Sequence, residues 1–555
     1  MFPLIPMEST FKKPERRMNT RIPFFEFGSS SRGIIGRGLG VLMVMVSAVS
    51  PGRAETSAAP FQQQLDQVRV KFALIKTDLI RRYQADETPL EGANHSSRPP
   101  TSRDSAGLAA GGSAPGDVTS QGIETRLREI AVLTNRLQGR GERPVSSDDA
   151  GPPSAEEMRL QLANRLSEAN LSSQAEPILK DLAIQSRRPP IAAEAWFRLE
   201  RLYYRQGDYP QALGAFFKIP MNKTWPFREE ATYLAGNSYL YLKDNLKAID
   251  LLSKIGEGSD YYPFAVYSSG LAYLNLGDAW SSTQLQFQKL VALNPKEDPV
   301  LQELINKTRV TLGFFFMDQK RYPEAVAVFE AIPPQSRYRA QARFGLGKAF
   351  MGMEDCVKAI VVFKDLIVQA ASQSDALEAH LQIGTCYSKL SAYHRAVDSY
   401  QDALKAYSER AGSLKKLVQE IKTRNLEDWM IKSGTEKSAD GAPFVFLTPS
   451  LAREPGFTEL VNVYAEWFRL HEEMAEDVRR DGNLAGRKME QGTGPDLGPL
   501  HMKMQELGQD LDKLLRASAT HQISSQLAQI DELALRANLG IAKNMTFMQD
   551  HETVP

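Results

Sequence analysis

The sequence predicts an all-α chain built around about six helix-turn-helix repeats, with helical flanking segments and flexible linkers. Three observations carry this. A fixed order of small, aromatic and aliphatic residues recurs between Ala193 and about Arg410. Apolar residues elsewhere fall at helical steps of three and four, and clusters of Pro, Gly and Ser separate these tracts.

The composition narrows the function classes. The 555 residues are 42% hydrophobic and 24% charged, so the chain can build cores, and 67 Lys+Arg balance 67 Asp+Glu. That balance argues against a bulk nucleic-acid binder, which needs surplus basic charge to hold phosphates. Cys356 and Cys386 are the only cysteines, which excludes a disulfide-dense scaffold and an all-cysteine metal site.

Residues 1–54 read as an export signal. Eight basic residues there face three glutamates, and the apolar run Leu39 to Val49 precedes a small-residue stretch ending at Ala54. An apolar run of this length suits a signal-peptide core, since a membrane-crossing helix needs about 20 residues. Cleavage near Ala54 would leave a soluble mature chain in the periplasm or another exported compartment.

Residues 55–85 read as an amphipathic or coiled-coil helix. Phe61, Leu65, Val68, Phe72, Ile75 and Leu79 alternate steps of three and four, leaving one narrow apolar face. Leu65, Val68, Phe72, Ile75 and Leu79 are candidates for self-association, and the same stripe equally suits docking on the rest of the chain. Residues 86–120, rich in Pro, Gly and Ser, read as a disordered tether. Residues 121–190 form a helical flanking region with an internal loose stretch. It holds helices over about 123–137 and 154–185, with Ser154 as N-cap of the second and Pro189-Pro190 closing the region.

The repeats occupy residues 191–410. A small residue recurs as Gly236, Gly270, Gly313, Gly347 and Gly384, with Glu200 as the exception in the first copy. Three residues later comes an aromatic: Tyr203, Tyr239, Tyr273, Phe316, Phe350 and Tyr387. Nine residues beyond it lie Ala212, Ala248, Ala325, Ala359 and Ala396, then after four more Phe216, Leu252, Phe329, Phe363 and Tyr400. The third copy departs from the pattern, with Ser282, Gln286 and Lys289 at positions that are small or apolar elsewhere.

This pattern resembles the tetratricopeptide repeat (TPR) family, over about 40% of the chain. The resemblance implies a right-handed superhelix with an inner concave face, and a groove for a protein or extended peptide. Physically, the small residue lets paired helix axes approach while aromatics fill the hollows. Residues 411–433 read as a capping helix presenting Leu414, Leu417, Ile421 and Trp429. Residues 434–555 read as a helical C-terminal region with flexible loops and helices near 458–480, 501–516 and 521–537.

No catalytic, metal or cofactor constellation emerges. His471-Glu472 lacks the second histidine of a zinc-protease motif, and the run Gly33 to Gly40 lacks the Lys-Ser/Thr of a phosphate loop. Cys356 and Cys386 lie in neighbouring helices, as a bridge or as two buried thiols. Most repeat aromatics are packing residues. Trp225, Phe227, Tyr261 and Tyr262 lie between repeats and are the candidate interface, because aromatics concentrate where proteins bind. The expectation is an exported, non-enzymatic scaffold or adaptor with no cofactor and no nucleic-acid partner, binding an envelope protein or multiprotein complex. It is similar in layout to exported bacterial envelope TPR scaffolds. The alternative is an accessory carbohydrate-binding subunit of an envelope polysaccharide or cell-wall system, since sugars stack on exposed rings.

Overall fold

A computed structural model describes residues 51–86, 123–138, 154–221, 225–295, 298–370, 373–426, 455–488 and 498–552. The export signal through residue 50, the tether and Trp429 lie outside them. Every regular element among the described residues is an α-helix, and none is long and apolar enough to cross a membrane.

The flanking helices are α1 (Pro51–Asp86) and α2 (Ile123–Leu137), followed by the short pair α3 (Ala155–Glu168) and α4 (Ser172–Gln185). The six copies read from the sequence are α5 (Pro189–Arg205) with α6 (Tyr209–Phe216), α7 (Arg228–Tyr241) with α8 (Asn245–Leu252), and α9 (Tyr262–Leu276) with α10 (Trp280–Val291). They continue as α11 (Pro299–Asp318) with α12 (Tyr322–Glu330), α13 (Arg339–Gly352) with α14 (Cys356–Ala370), and α15 (Ser374–Lys389) with α16 (Tyr393–Thr423). Two long helices end the chain, α17 (Pro455–Lys488) and α18 (Gly498–Glu552).

One turn geometry joins the pairs. Seven residues after each small residue, the backbone enters the left-handed region, at Gly207, Lys243, Gly277, Lys320, Glu354 and Ser391. In five of these turns the next N–H donates back to the carbonyl of the aromatic: Asp208 to Tyr203 at 2.9 Å, Asp244 to Tyr239 at 2.9 Å, Arg321 to Phe316 at 2.8 Å, Asp355 to Phe350 at 2.9 Å and Ala392 to Tyr387 at 3.0 Å. This six-to-one bond satisfies a carbonyl that the ending helix leaves open. Asp208, Asp244 and Asp355 then cap the second helices by accepting from Gln211, Lys247 and Lys358 backbone N–H groups.

Packing follows the sequence pattern. Ala212, Ala248, Ala325, Ala359 and Ala396 are fully buried where paired helices meet. A Cβ on Gly236, Gly313 or Gly384 would sit 2.7, 2.5 and 2.5 Å from Leu252, Phe329 and Tyr400 of its own repeat, so each glycine is the floor for a large side chain.

Four sequence expectations are corrected. Residues 154–185 are two helices, because the chain turns at Asn170 with φ 58°. Ala163, Leu166, Ala175, Leu179 and Leu182 stand at the repeat's offsets, all buried, and Leu171 N–H donates to Leu166 O at 2.8 Å. The α3–α4 pair is therefore a further repeat, and the stack begins near Ser154 rather than Ile191. In the third copy, Gln286 does not fill the hollow under Gly270; Phe287 does, with Thr283 and Leu290 buried beside it. Gly277 is followed by both Asp278 and Ala279 before α10 begins, one residue more than in the other turns, which moves every later side chain by one position.

The third correction concerns the cap. Residues after 410 continue α16, burying Leu414 and Ile421, and the first-helix position beyond the last repeat is filled by α18. A Cβ on Gly540 would lie 2.5 Å from the Tyr400 ring, and Tyr393 stacks on Phe547 at 5.4 Å. Fourth, residues 501–537 are one helix, since RASATHQ between the two expected helices carries neither Gly nor Pro.

Consecutive first helices touch one another from α3 through α15 and on to α18, whereas the second helices of neighbouring repeats make no comparable contact. The layer whose members stand closer is the inner one of a curved stack, so the first helices line the concave face of this repeat superhelix. The flanking helices connect its ends. α2 packs on α3, α1 packs on α2 and α18, α17 joins α1 and α18, and α18 packs along α16.

The stripe Leu65, Val68, Phe72, Ile75 and Leu79 is buried in this module, at 0 to 5% exposure. Of the two readings of that helix, the structure has the docked one, so in this arrangement the stripe offers no face to a second copy. Lys76, 2% exposed, donates to Ala169 O at 2.9 Å in the α3–α4 turn and pairs with Glu466 of α17 at 2.5 Å. Asp78 pairs with Lys503 of α18 at 2.9 Å, and Lys71 pairs with Asp510.

Candidate functional site: the inner face of the superhelix

Two residues of each first helix carry the chemistry of this face. One directly follows the small residue: Arg201, Asn237, Leu271, Phe314, Lys348 and Thr385. The other lies six before it: Glu194, Glu230, Phe264, Lys307, Gln341 and Glu378. All are half-buried except Asn237, which is buried, so they are neither core nor fully solvated surface.

At the N-terminal end, Arg201 of α5 pairs with Glu230 of α7 at 3.0 Å, and the Tyr261 hydroxyl lies near the same carboxylate. Burial, with Glu230 beside it, pushes the Tyr261 hydroxyl well above the usual tyrosine range. Arg205 stands one helical turn from Arg201, and burial, together with Arg201, lowers its guanidinium pKa. Tyr209 and Tyr241 stack at 4.5 Å with Tyr204 edge-on to both, and burial raises the Tyr204 hydroxyl strongly.

Farther along, Asn237 accepts from Ser268 at 2.9 Å and joins α7 to α9. Tyr233 beside them is pushed up to about 12 by burial. Lys307 lies 5.1 Å over the Tyr267 ring, and burial, with Arg337 near, brings its ammonium down to about 8. Burial also lowers Lys348, partly opposed by Glu378 of α15, while Arg536 of α18 adds like charge. The face thus presents paired and part-dehydrated charges between aromatic rings, a surface that can hydrogen-bond an extended backbone and take apolar side chains between polar contacts.

The four interface residues named from the sequence fall into two packing clusters. Trp225 and Phe227 close on the buried Phe197, at 5.5 Å edge-on and 4.8 Å stacked, with the Arg198 guanidinium 5.4 Å from the Phe227 ring. Tyr261 lies 5.5 Å from Tyr233, and the Tyr262 hydroxyl donates to Glu257 at 3.4 Å. All four are half-buried mortar between adjacent repeats. The inner-face charges were missed because composition gives them no weight, yet counting one after and six before each small residue finds them.

Among the described residues no group of three His, Cys, Asp or Glu side chains is arranged to hold a metal ion. His380 has its pKa lowered by burial, with Asp402 opposing. Both cysteines are buried free thiols.

No protein-family model and no curated protein matches the chain. Solved structures with partial likeness include a tetratricopeptide repeat protein from Parabacteroides merdae, at 15% identity over 45% of this chain and 91% of that one, with a TM-score of 0.32. The TPR2AB domain of yeast Sti1 in its complex with pHSP90 shares 15% identity over 39% of this chain and 92% of that one, TM-score 0.17. The apo form of RapI shares 12% over 72% and 88%, TM-score 0.29. The fold itself is read from the recurring helix pairs, turn bonds and glycine–ring contacts, which are those of a TPR-type superhelix.

Proposed function

We propose that this chain is an exported, non-catalytic scaffold whose inner face holds an extended segment of an envelope protein. The half-buried line of charges and rings from Arg201 to Lys348 carries this reading, since such a line suits a peptide backbone better than a small substrate. The basic N-terminal segment and its apolar run support export, with release near Ala54.

Site-specific photocrosslinking tests it. Probes at Phe314 and Gln341 on the inner face should give one discrete protein adduct in cells, and probes at the exposed Val361 and Val368 on the outer side of α14 should not. Adducts from Val361 and Val368 alone would contradict the assignment of the face.

The carbohydrate reading needs rings lying open to solvent. Trp225, edge-on, and Phe227, stacked, are instead packed half-buried against Phe197, which favours the protein ligand. Titration with cell-wall glycans should therefore leave tryptophan fluorescence unchanged, and a saturable shift would support the sugar reading.

A further inference from the structure

Cys356 is the first residue of α14, and Cys386 lies one turn from the end of α15. These helices pack together and belong to consecutive repeats, so the start of one stands level with the end of the other. Both side chains are buried, 2% and 0% exposed, in one apolar cluster, with the Cys356 thiol near enough to disfavour the charged form of Cys386. In a chain of 555 residues with two cysteines, both occupy this one contact.

We propose that Cys356 and Cys386 are a redox-active pair that oxidises to an intramolecular disulfide stapling the α13–α14 repeat to the α15–α16 repeat. The oxidant is a low-molecular-weight disulfide such as oxidised glutathione. One protein thiolate attacks its sulfur and expels the first small thiol, leaving a mixed disulfide; the second cysteine then attacks the protein-side sulfur and expels the second. The two cysteines lose two protons and two electrons, and the small disulfide is reduced to two thiols.

The physical consequence follows from the repeat architecture. Each repeat of the stack packs on its neighbours, so a covalent link across the α14–α15 interface ties together two units otherwise held there by packing alone. Burial and the neighbouring Cys356 thiol raise the Cys386 pKa, so native oxidation waits on local opening and is slow, and the formed bond is shielded from reductant.

The test uses the full chain incubated with oxidised glutathione under native conditions, alongside the same chain in urea. Both thiols should vanish together in the native monomer, with a cross-linked peptide containing Cys356 and Cys386. The thermal midpoint should rise by roughly 5 °C or more. Persistence of both thiols while the urea sample oxidises fully, or a stable glutathione adduct on either cysteine, would overturn the proposal. In Cys386→Ser the oxidant should leave the midpoint unmoved; a rise there would show that stabilisation does not come from this pair.

Discussion

Gly540 on the last helix faces the ring of Tyr400 as Gly345 on α13 faces that of Phe329, and in both cases an added Cβ would strike the ring. An element more than a hundred residues away in sequence thus takes the place of the next repeat. A glycine inside a long helix costs about 1 kcal/mol relative to alanine, and the close approach offsets that cost.

This pairing predicts opposite outcomes for two glycines. Gly540→Val should destabilise the chain by about 1–3 kcal/mol through overpacking against Tyr400. Gly412→Ala, in α16 with open space around it, should stabilise by about 0.5–1 kcal/mol through helix propensity alone. Denaturant unfolding of both variants checks the pair.

The shifted third copy predicts another contrast. Phe287→Ala removes the ring beneath Gly270 and should cost about 3–5 kcal/mol. Gln286→Ala, at the position the simple repeat count selects, should stay within about 0.5 kcal/mol. Equal losses at both sites would contradict the one-residue insertion.

Glu200 stands where most copies have glycine. It is 0% exposed, neither carboxylate oxygen has a hydrogen-bond partner, and burial, with Glu230 adding repulsion, raises its pKa well above the usual carboxyl range. A raised folded pKa means the favourable contribution is fully present below the unfolded value near 4.3 and is lost as pH rises through the folded value. Glu200→Gln should therefore raise the thermal midpoint at about pH 8 and bring little change at about pH 4. Melting curves across that range read the difference.

The buried Lys76 node predicts an asymmetry between its partners. Glu466→Ala strands an ammonium that is 2% exposed and should cost about 3–5 kcal/mol. Lys76→Met removes the charge itself and should cost less, although Ala169 O then loses its donor. The order would reverse if the ion pair were a solvated surface contact.

Most of the stack was legible in the sequence because each repeat repeats its contacts: Gly313 meets Phe329 and Gly347 meets Phe363 as Gly384 meets Tyr400, so local spacing reports local packing. The α3–α4 repeat escaped because Ala163 and Leu166 replace the glycine and aromatic that mark the others, although Ala175 and Leu179 keep the offsets. The closure was not legible. Lys76 with Glu466, or Gly540 with Tyr400, are pairings across hundreds of residues or between unlike elements, and helical periodicity shows that a face is apolar without showing what covers it. The same blindness split the stripe on α1 between self-association and docking. In the inner face, the aromatic bias drew notice to Trp225 and Phe227, while Arg201 and Lys307 are ordinary charges until the stack sets them in a line.

The closure of the superhelix by α18 is tested most directly by hydrogen exchange on the intact chain. Amides between Gln522 and Asn544 should be protected to the level of those in α15 and α16, because all three helices share one packed interface. Exchange of the α18 amides at the rate of an isolated helix, with α15 and α16 still protected, would contradict it.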